Sequence, residues 1–362
     1  MRTFVRNIRT IVNVLKPGEK AKFDEMDKIE ITTSGSGSRL AILTQDGDIV
    51  DFGEEECILR KKKELDNVID CRGGCVIPGF VDAHTHPVWA GDRLHEFTLR
   101  LKGASNMEIH EAGGGIQFTV SKTSEASEDL LYDILKDRIK PRIQFQSMSL
   151  KSQNNCWASR GTNANQFTEC IINEQIPNLR ELMIRGDIQV DNIDVICERG
   201  VFDLNQSQRI LEAGRNIGLN LNFHADESSP LGGAELAGRL KARAASHLEE
   251  ASPAGVAAMA ASGTAAVLLP TTAHLLRLRP PPARAILQAG VPVALGTDFN
   301  PNVFCLSMPV VMYLACTMLT MTPDEALVAS TINAAYSLNM SDRVGAITVG
   351  RQADLVVLDC DG

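Results

Sequence analysis

The stretch VIPGFVDAHTHPVWAGDRLHEF, residues 76–97, decides the fold of this chain. An apolar, β-branched run ends here in two histidines, His84 and His86, one residue apart. Residues i and i+2 of a strand point to the same face, so both imidazoles project together. Because neutral imidazole is a ligand for metals such as zinc, the pattern predicts part of a metal site at a strand end. The alternative is a pair of hydrogen-bonded histidines in a polar loop.

The same pattern, an apolar run followed by polar residues, recurs later in the chain. The runs end in NFHADE, SHLEE and GTDFNPN, and helical stretches lie between them. Alternating strand, polar tip and helix indicates a parallel sheet, and (β/α)8 barrels carry their active sites at the carboxyl ends of their strands. Two histidines from the first strand, one from a second strand and an aspartate from the last make a His3Asp metal set with room for water. The candidates at these tips are His224, Asp226, Glu227, His247, Asp298 and Asn300.

The two ends of the chain show short strand-like runs without helical stretches, and this pattern predicts a second, smaller unit. Residues 1–75 read as short strands with turns, and QDGD between two apolar runs predicts a tight hairpin. After residue 340, GAITVGRQADLVVLD returns to strand texture. We therefore expect a composite β-sandwich from residues 1–75 and 340–362 around a barrel over residues 76–339. Within that barrel, residues 138–166 are rich in Ser, Asn and Gln and show no clear helical or strand period.

Composition and charge narrow the class of protein. The formal net charge of −9 disfavours nucleic acid and anionic membrane as main partners. No apolar stretch reaches the roughly 18 residues that span a membrane. Nine scattered cysteines without two metal-binding knuckles indicate reduced thiols in a cytoplasmic protein. A basic N-terminus leaves a mitochondrial presequence open, but its Val/Ile-rich run favours a first strand.

Other polar residues near the first strand have weaker signals. Arg93 follows the two histidines closely and could clamp a carboxylate in bidentate fashion, or be a solvated surface residue. The glycines at 113–115 could offer N–H groups to an anion, although no GK[ST] sequence follows them. The remaining histidines are interpreted as structural: His95, His110 and His274.

At these residues the chain resembles a known family. PGFVDAHTHPVWAG, NFHADE, SHLEE and GTDFNPN resemble the metal-dependent amidohydrolase superfamily. Within it, DAHTHPVWAGDRLHEF followed by MEIHEAGGGIQFTV resembles the imidazolonepropionase family of histidine degradation. The resemblance covers about residues 65–135 and 167–358, and implies hydrolysis of 4-imidazolone-5-propanoate to N-formimidoyl-L-glutamate.

The resemblance also implies roles for single residues. One zinc or iron ion would be held by His84, His86, His224 and Asp298. Arg93 would bind the propionate carboxylate, and Asn300 would touch the product side of the ligand. Glu227 would contact the ring and help to activate water, and His247 would assist at that water or at the developing oxyanion. Asp298 or Glu227 would carry the proton to the leaving nitrogen. A homodimer is compatible with the sequence.

One part of the family pattern is missing. Relatives carry an Ala-Gly-Thr-Thr strand, a KSGYG loop and a GAHS strand tip, whose Tyr and His contact the substrate, where this chain has the irregular 138–166 stretch. Relatives also continue beyond LVVLD with further strands. We therefore expect a barrel that lacks about two strands and an enzyme with impaired activity. The alternatives are an inactive amidohydrolase-like scaffold, or an aminohydrolase acting on another cyclic C–N substrate.

Overall fold

The fold is described here from a computed structural model of the 362-residue chain. The structure describes residues 1–16, 19, 21–60, 64–104, 106–145 and 164–360. Within these ranges, no helix is long and apolar enough to cross a membrane. The eight cysteines that they contain are all free thiols.

The N-terminal part forms two small sheets, and both also contact residues from the C-terminal end of the chain. Their strands are β1 (Arg2–Ile8), β2 (Thr10–Asn13), β3 (Glu30–Thr33), β4 (Leu40–Gln45), β5 (Asp48–Glu54), β6 (Asn67–Asp70), β7 (Cys75–Pro78) and β14 (Leu355–Leu358). One sheet has the order β5-β4-β1-β6 and the other β14-β7-β2-β3. The predicted hairpin is confirmed: Asp46 and Gly47, both at positive φ, join β4 to the antiparallel β5. The domain boundaries at 75/76 and 339/340 stay predictions.

The barrel sheet is parallel throughout, as the alternating pattern predicts. Its strands are β8 (Asn192–Ile193), β9 (Ile196–Cys197), β10 (Asn220–Ala225), β11 (Ala244–His247), β12 (Ala265–Leu268) and β13 (Val293–Leu295). They lie in the order β13-β12-β11-β10-β8, and β9 also pairs with β10. The segment 81–86 lies beside β13, where Thr85 forms a parallel bridge with Phe299. The two histidines of the first strand therefore face the last strand of the barrel.

Helices connect these strands and cover the barrel. Before the barrel sheet they are α1 (Glu55–Arg60), α2 (Leu94–Leu101), α3 (Asn106–Glu111), α4 (Ile116–Glu125), α5 (Glu128–Phe145), α6 (Ala164–Cys170) and α7 (Ile176–Arg185), with a π-helical turn at Ile171–Gln175. From there on they are α8 (Leu204–Asn216), α9 (Gly233–Leu240), α10 (Pro253–Ser262), α11 (Pro270–Leu276), α12 (Ala283–Gln288), α13 (Met308–Met318), α14 (Pro323–Ala329) and α15 (Ile332–Ser337).

The first and last strand positions are joined by polar contacts at the site end. Asp82 accepts hydrogen bonds from the backbone N–H of Thr297 at 2.8 Å and from its hydroxyl at 2.7 Å. The backbones approach so closely that a Cβ on Gly296 would lie 2.8 Å from the backbone nitrogen of His84. Only glycine fits there, and it allows the two ends that carry the predicted ligands to meet.

Between β7 and β8 the regular secondary structure of the described residues is helical, and the remaining residues there are loops and turns. Over residues 79–104, 106–145 and 164–191, no strand is present apart from the single bridge at Thr85. If β8 and β9 count as one position, the described chain supplies six of the eight strand positions of a (β/α)8 barrel. This agrees with the expected shortage of about two strands.

The prediction that residues 138–166 lack helical structure is wrong at both ends. Helix α5 continues to Phe145 through Pro141, and α6 begins at Ala164. A proline inside a helix removes one main-chain hydrogen bond, and α5 nevertheless includes Pro141. The centre of the stretch, residues 146–163, lies outside the described residues.

Candidate metal centre and active site

Four histidine rings and one carboxylate meet at the carboxyl end of the barrel sheet. His84 and His86 approach each other with their Nε2 atoms 2.9 Å apart. Asp298 Oδ1 lies 3.2 Å from His86 Nε2 and 3.6 Å from His84 Nε2. The ring of His224 lies 4.6 Å from that of His84, and the ring of His247 lies 5.1 Å from that of His224. All four ligands predicted for the metal are therefore neighbours in the structure.

Each of three predicted ligands is held by a second residue on its far side. His84 Nδ1 lies 2.9 Å from Ser246 Oγ. His224 Nδ1 lies 3.0 and 3.3 Å from the two carboxylate oxygens of Asp194. Asp298 Oδ2 accepts a hydrogen bond from the hydroxyl of Thr272. Such partners fix the tautomer and orientation of metal ligands.

The donor set fits a metal ion. Ligands of a tetrahedral zinc ion at 2.0–2.1 Å lie about 3.3 Å from one another, which is close to the spacings of the His84, His86 and Asp298 atoms. The candidate ligand atoms of His84, His86 and His224 all lie within 4.8 Å of one another. Imidazole and carboxylate are also ligands that zinc and iron accept. The residues present can therefore hold the ion that the sequence predicts.

Burial and neighbouring charges set the protonation of these groups. Burial, together with His224 and His86, holds the pKa of His84 well below its ordinary value, which keeps its nitrogen lone pair available. Burial opposes ionisation of Asp298, but the hydrogen bond and charge of His86 hold the pKa of its carboxyl well below the usual range. A neutral histidine beside an ionised carboxylate is the protonation state that metal binding requires.

His247 lies between two carboxylates. Its Nε2 is 3.9 Å from Glu227 Oε2, and its Nδ1 is 3.7 Å from Glu249 Oε2. Burial would lower the pKa of His247, but Glu227, Glu249 and Asp298 raise it to about 10. His247 is therefore placed to be a proton donor. Burial raises the pKa of the Glu249 carboxyl, whose two oxygens make no hydrogen bond within the described part of the chain.

Arg93 has a partner that the sequence pattern did not reveal. Its Nε donates to Glu96 Oε1 at 2.8 Å and its Nη2 donates to Glu96 Oε2 at 2.6 Å. Glu96 Oε1 also accepts the backbone N–H of Gly115 at 2.7 Å. The anion that the glycine run was expected to attract is thus a carboxylate of the chain itself.

Two polar residues of the strand tips shape their own loops. Asp226 accepts hydrogen bonds from four backbone N–H groups at the start of α9, from Leu231 to Ala234, and is therefore a helix cap. Asn300 Nδ2 donates to the carbonyl of Asp298 at 2.7 Å, and its Oδ1 accepts from the N–H groups of Asn302 and Val303. Substrate contact by Asn300 stays a prediction.

The other histidines lie away from these rings or have no described side chain. His95 is half exposed beside Glu96, and the exposed His274 lies on α11. The side chain of His110 lies outside the described residues.

Several residues of the site were missed by sequence reasoning. Asp194 stands in VDNIDVICE, Ser246 directly precedes His247, and Thr272 follows the strand AAVLL in LPTTA. All three lie at or beside carboxyl ends of predicted strands, which was the available signal. Their partners are 26 to 162 residues away in sequence, and no local pattern reveals such pairs.

Comparison with known proteins agrees with this geometry. A match to the Amidohydrolase family covers residues 75–361 of the chain. A probable imidazolonepropionase of Danio rerio is 45% identical over 98% of this chain and 89% of its own length. A probable imidazolonepropionase of Homo sapiens is 43% identical over 98% of this chain and 91% of its own length.

Among solved structures, an adenosine deaminase from Xanthomonas campestris with bound zinc has a similar fold. Its TM-score is 0.64 at 17% identity, and the match covers 99% of this chain and 84% of that one. The alignment with the Danio rerio protein runs over 391 positions, although this chain has 362 residues. The relative therefore carries residues within the aligned range that this chain lacks.

Proposed function

This chain belongs to the amidohydrolase family and, within it, to the imidazolonepropionases, and from that premise we propose how its residues act. It is a hydrolase of cyclic C–N bonds whose reaction opens 4-imidazolone-5-propanoate to N-formimidoyl-L-glutamate in histidine degradation. Water adds to the ring carbonyl carbon, and the bond from that carbon to the ring nitrogen breaks. The carbonyl carbon becomes a carboxylate, and the leaving nitrogen takes up a proton. The convergence of His84, His86, His224 and Asp298 at the strand ends carries this proposal.

The metal is zinc or iron in this proposal, held by those four residues. When bound, such an ion lowers the pKa of water towards neutrality and polarises a carbonyl oxygen. Ser246, Asp194 and Thr272 orient the ligand side chains through the contacts described above.

The proton transfers fall to groups around His247. Glu227, whose side chain is 22% exposed, is the group that reaches both the barrel mouth and His247. We assign to Glu227 or Asp298 the removal of a proton from the attacking water and its delivery to the leaving nitrogen. The raised pKa of His247 leaves Nε2–H available as a donor to the developing oxyanion.

Arg93 anchors the propionate tail in this proposal, and Asn300 contacts the product side of the ligand. A guanidinium binds a carboxylate through two parallel N–H groups, which fixes the direction of the tail. The side chain of Arg93 is only 10% exposed, so water competes weakly for its donors. We also propose a cytoplasmic location, which the free cysteines support, and a homodimer.

Two strand positions are not supplied by the residues that the structure describes, and this favours a second candidate, a scaffold without catalytic activity. A barrel with two absent strands exposes strand edges and apolar faces beside the pocket. We propose that turnover by this chain is lower than that of full-length relatives for this reason. The presence of all four proposed ligand residues, side by side at the strand ends, favours residual activity over a scaffold.

The experiment is turnover by the purified chain after loading with zinc or with iron(II). Imidazolonepropionate would be supplied fresh by urocanase, and N-formimidoylglutamate would be measured by mass spectrometry together with the metal content. We expect about one metal per chain and product that disappears in Asp298→Asn. Asp187→Asn, an exposed aspartate on the surface, is the matched control. A chain that binds no metal stoichiometrically and forms no product would establish the scaffold instead.

A further inference from the structure

We propose that Glu96 is a positioning residue that fixes the guanidinium of Arg93 for the carboxylate tail of the substrate. The inference rests on the proposed function and deepens it. Glu96 does not contact the reacting atoms in this proposal. It acts through Arg93 and through the glycine turn that precedes α4.

The contact between the two side chains is bidentate and buried. Nε and Nη2 of Arg93 donate to the two oxygens of Glu96 at 2.8 and 2.6 Å. The Glu96 side chain is completely buried, and that of Arg93 is 10% exposed. Burial opposes ionisation of Glu96, but Arg93 and the N–H of Gly115 hold the pKa of its carboxyl below the usual value. The pair is therefore a fixed ion pair.

The pair leaves one edge of the guanidinium available. A guanidinium has five N–H donors in a planar fork. Glu96 takes the edge formed by Nε and Nη2, so three donors remain, and two of them, one on Nη1 and one on Nη2, form the terminal edge. Within the described part of the chain, the guanidinium of Arg93 donates to no side chain or carbonyl other than Glu96. That edge has the geometry to bind a second carboxylate with two parallel hydrogen bonds.

The glycine run makes room for this arrangement. A Cβ on Gly114 would lie 3.0 Å from Glu96 Oε1 and 2.9 Å from Cγ2 of Ile109. Gly115, at φ +86°, gives its N–H to the same oxygen at 2.7 Å. AGGGI thus holds the carboxylate of Glu96, which in turn holds Arg93. The glycines therefore affect the substrate tail indirectly, through Glu96 and Arg93.

The first test compares steady-state kinetics of Glu96→Gln with those of Glu111→Gln. Glu111 is an exposed glutamate at the end of α3. The glutamine keeps the size of the side chain but loses its charge and one acceptor. We expect KM for imidazolonepropionate to rise about tenfold or more, with kcat and metal content within about twofold of wild type. Glu111→Gln should leave all three unchanged. A fall in kcat with unchanged KM would overturn the proposal.

The second test measures ligand binding and does not need turnover. Calorimetry would compare imidazole-4-propionate, which carries the tail, with 4-methylimidazole, which lacks it. Glu96→Gln and Arg93→Ala should both weaken binding of the ligand with the tail and leave binding of the ligand without it unchanged. Equal weakening of both ligands by Glu96→Gln would indicate a merely structural role, and no weakening would exclude the clamp.

The two tests separate this inference from the proposed function. If Arg93→Ala no longer binds the tailed ligand and Glu96→Gln still does, Arg93 binds the carboxylate tail but Glu96 is not needed to position it. If wild type binds both ligands equally, Arg93 is not the anchor and both proposals fail at this residue. If Glu96→Gln does not fold, Glu96→Asp, which keeps the charge and shortens the side chain, supplies the same comparison.

Discussion

At the scale of single residues, the metal centre depends on partners that stand behind its ligands. His224 illustrates this: Asp194 contacts its Nδ1, and both side chains are nearly completely buried. A carboxylate in that position fixes which imidazole nitrogen carries the proton and leaves the other free for a metal. The ligand set alone therefore does not determine how tightly the ion is held.

We predict that Asp194→Asn lowers metal affinity by about 10–100-fold. The amide keeps the shape of the carboxylate but no longer holds His224 as a charged partner. Competition with a chelator for the bound metal measures the change, and Asp187→Asn on the surface is the control. Unchanged affinity in Asp194→Asn would mean that His224 is oriented by its packing alone.

The same residues show how far the sequence predicts the site. Two histidines at i and i+2, and polar residues after predicted strands, are local signals, and the structure brings them together. Asp226 follows the same pattern, yet it caps α9, because a strand tip and a helix start both favour aspartate. Glu96 stands three residues after Arg93, a spacing at which side chains can meet, but its contact with a glycine turn 19 residues later has no local signal.

At the scale of secondary-structure elements, helix α5 supports the loop that follows His86. Arg138, in the second half of α5, donates from Nη1 to the carbonyls of Pro87 at 3.0 Å and Trp89 at 2.8 Å. Its guanidinium lies over the Trp89 ring, 3.3 Å from the centroid. Burial lowers the pKa of Arg138 to about 10, because no carboxylate in the described residues pairs with it. The helix thus fixes the path of the chain from the metal ligand towards Arg93.

We expect Arg138→Ala to destabilise the protein by about 2 kcal/mol, through lost charged hydrogen bonds and cation–π contact. In a Trp157→Phe background, Trp89 is the remaining tryptophan. Its emission should shift to the red as water reaches the ring. Urea unfolding and fluorescence measure the two effects. Arg185→Ala, at an exposed arginine, should change neither, and a blue or absent shift in Arg138→Ala would contradict the packing described here.

At the scale of the whole molecule, the barrel is an arc rather than a ring in the described residues. From the segment 81–86 through β13, β12, β11 and β10 to β8, neighbouring strands are hydrogen-bonded or bridged. The proposed metal ligands and His247 all lie on this arc. The missing positions fall between the two ends of the arc, in the part of the chain where the sequence lacks the Tyr and His motifs expected from the family resemblance. The missing strand positions therefore leave the proposed metal site intact and alter the substrate pocket.

We predict that restoring the missing segment raises both stability and turnover. The exchange would replace residues 139–163 with the corresponding, longer segment of the Danio rerio relative. Covering the open edges should raise the melting temperature by several degrees and reduce binding of the apolar dye ANS. A glycine–serine linker of the same length is the control. Equal melting temperatures and dye binding for the two chimeras would refute the open arc.

The contacts between Asp82 and Thr297 also have a consequence for biosynthesis. These residues are 215 positions apart, and the ligands beside them belong to the first and last strands of the barrel. A ribosome must release most of the chain before Asp298 can reach His84 and His86. The ion therefore cannot be captured in its final geometry during early translation. Until the last strand arrives, the nascent chain holds two adjacent histidines without their carboxylate, so we expect any metal that binds there to be captured late in synthesis.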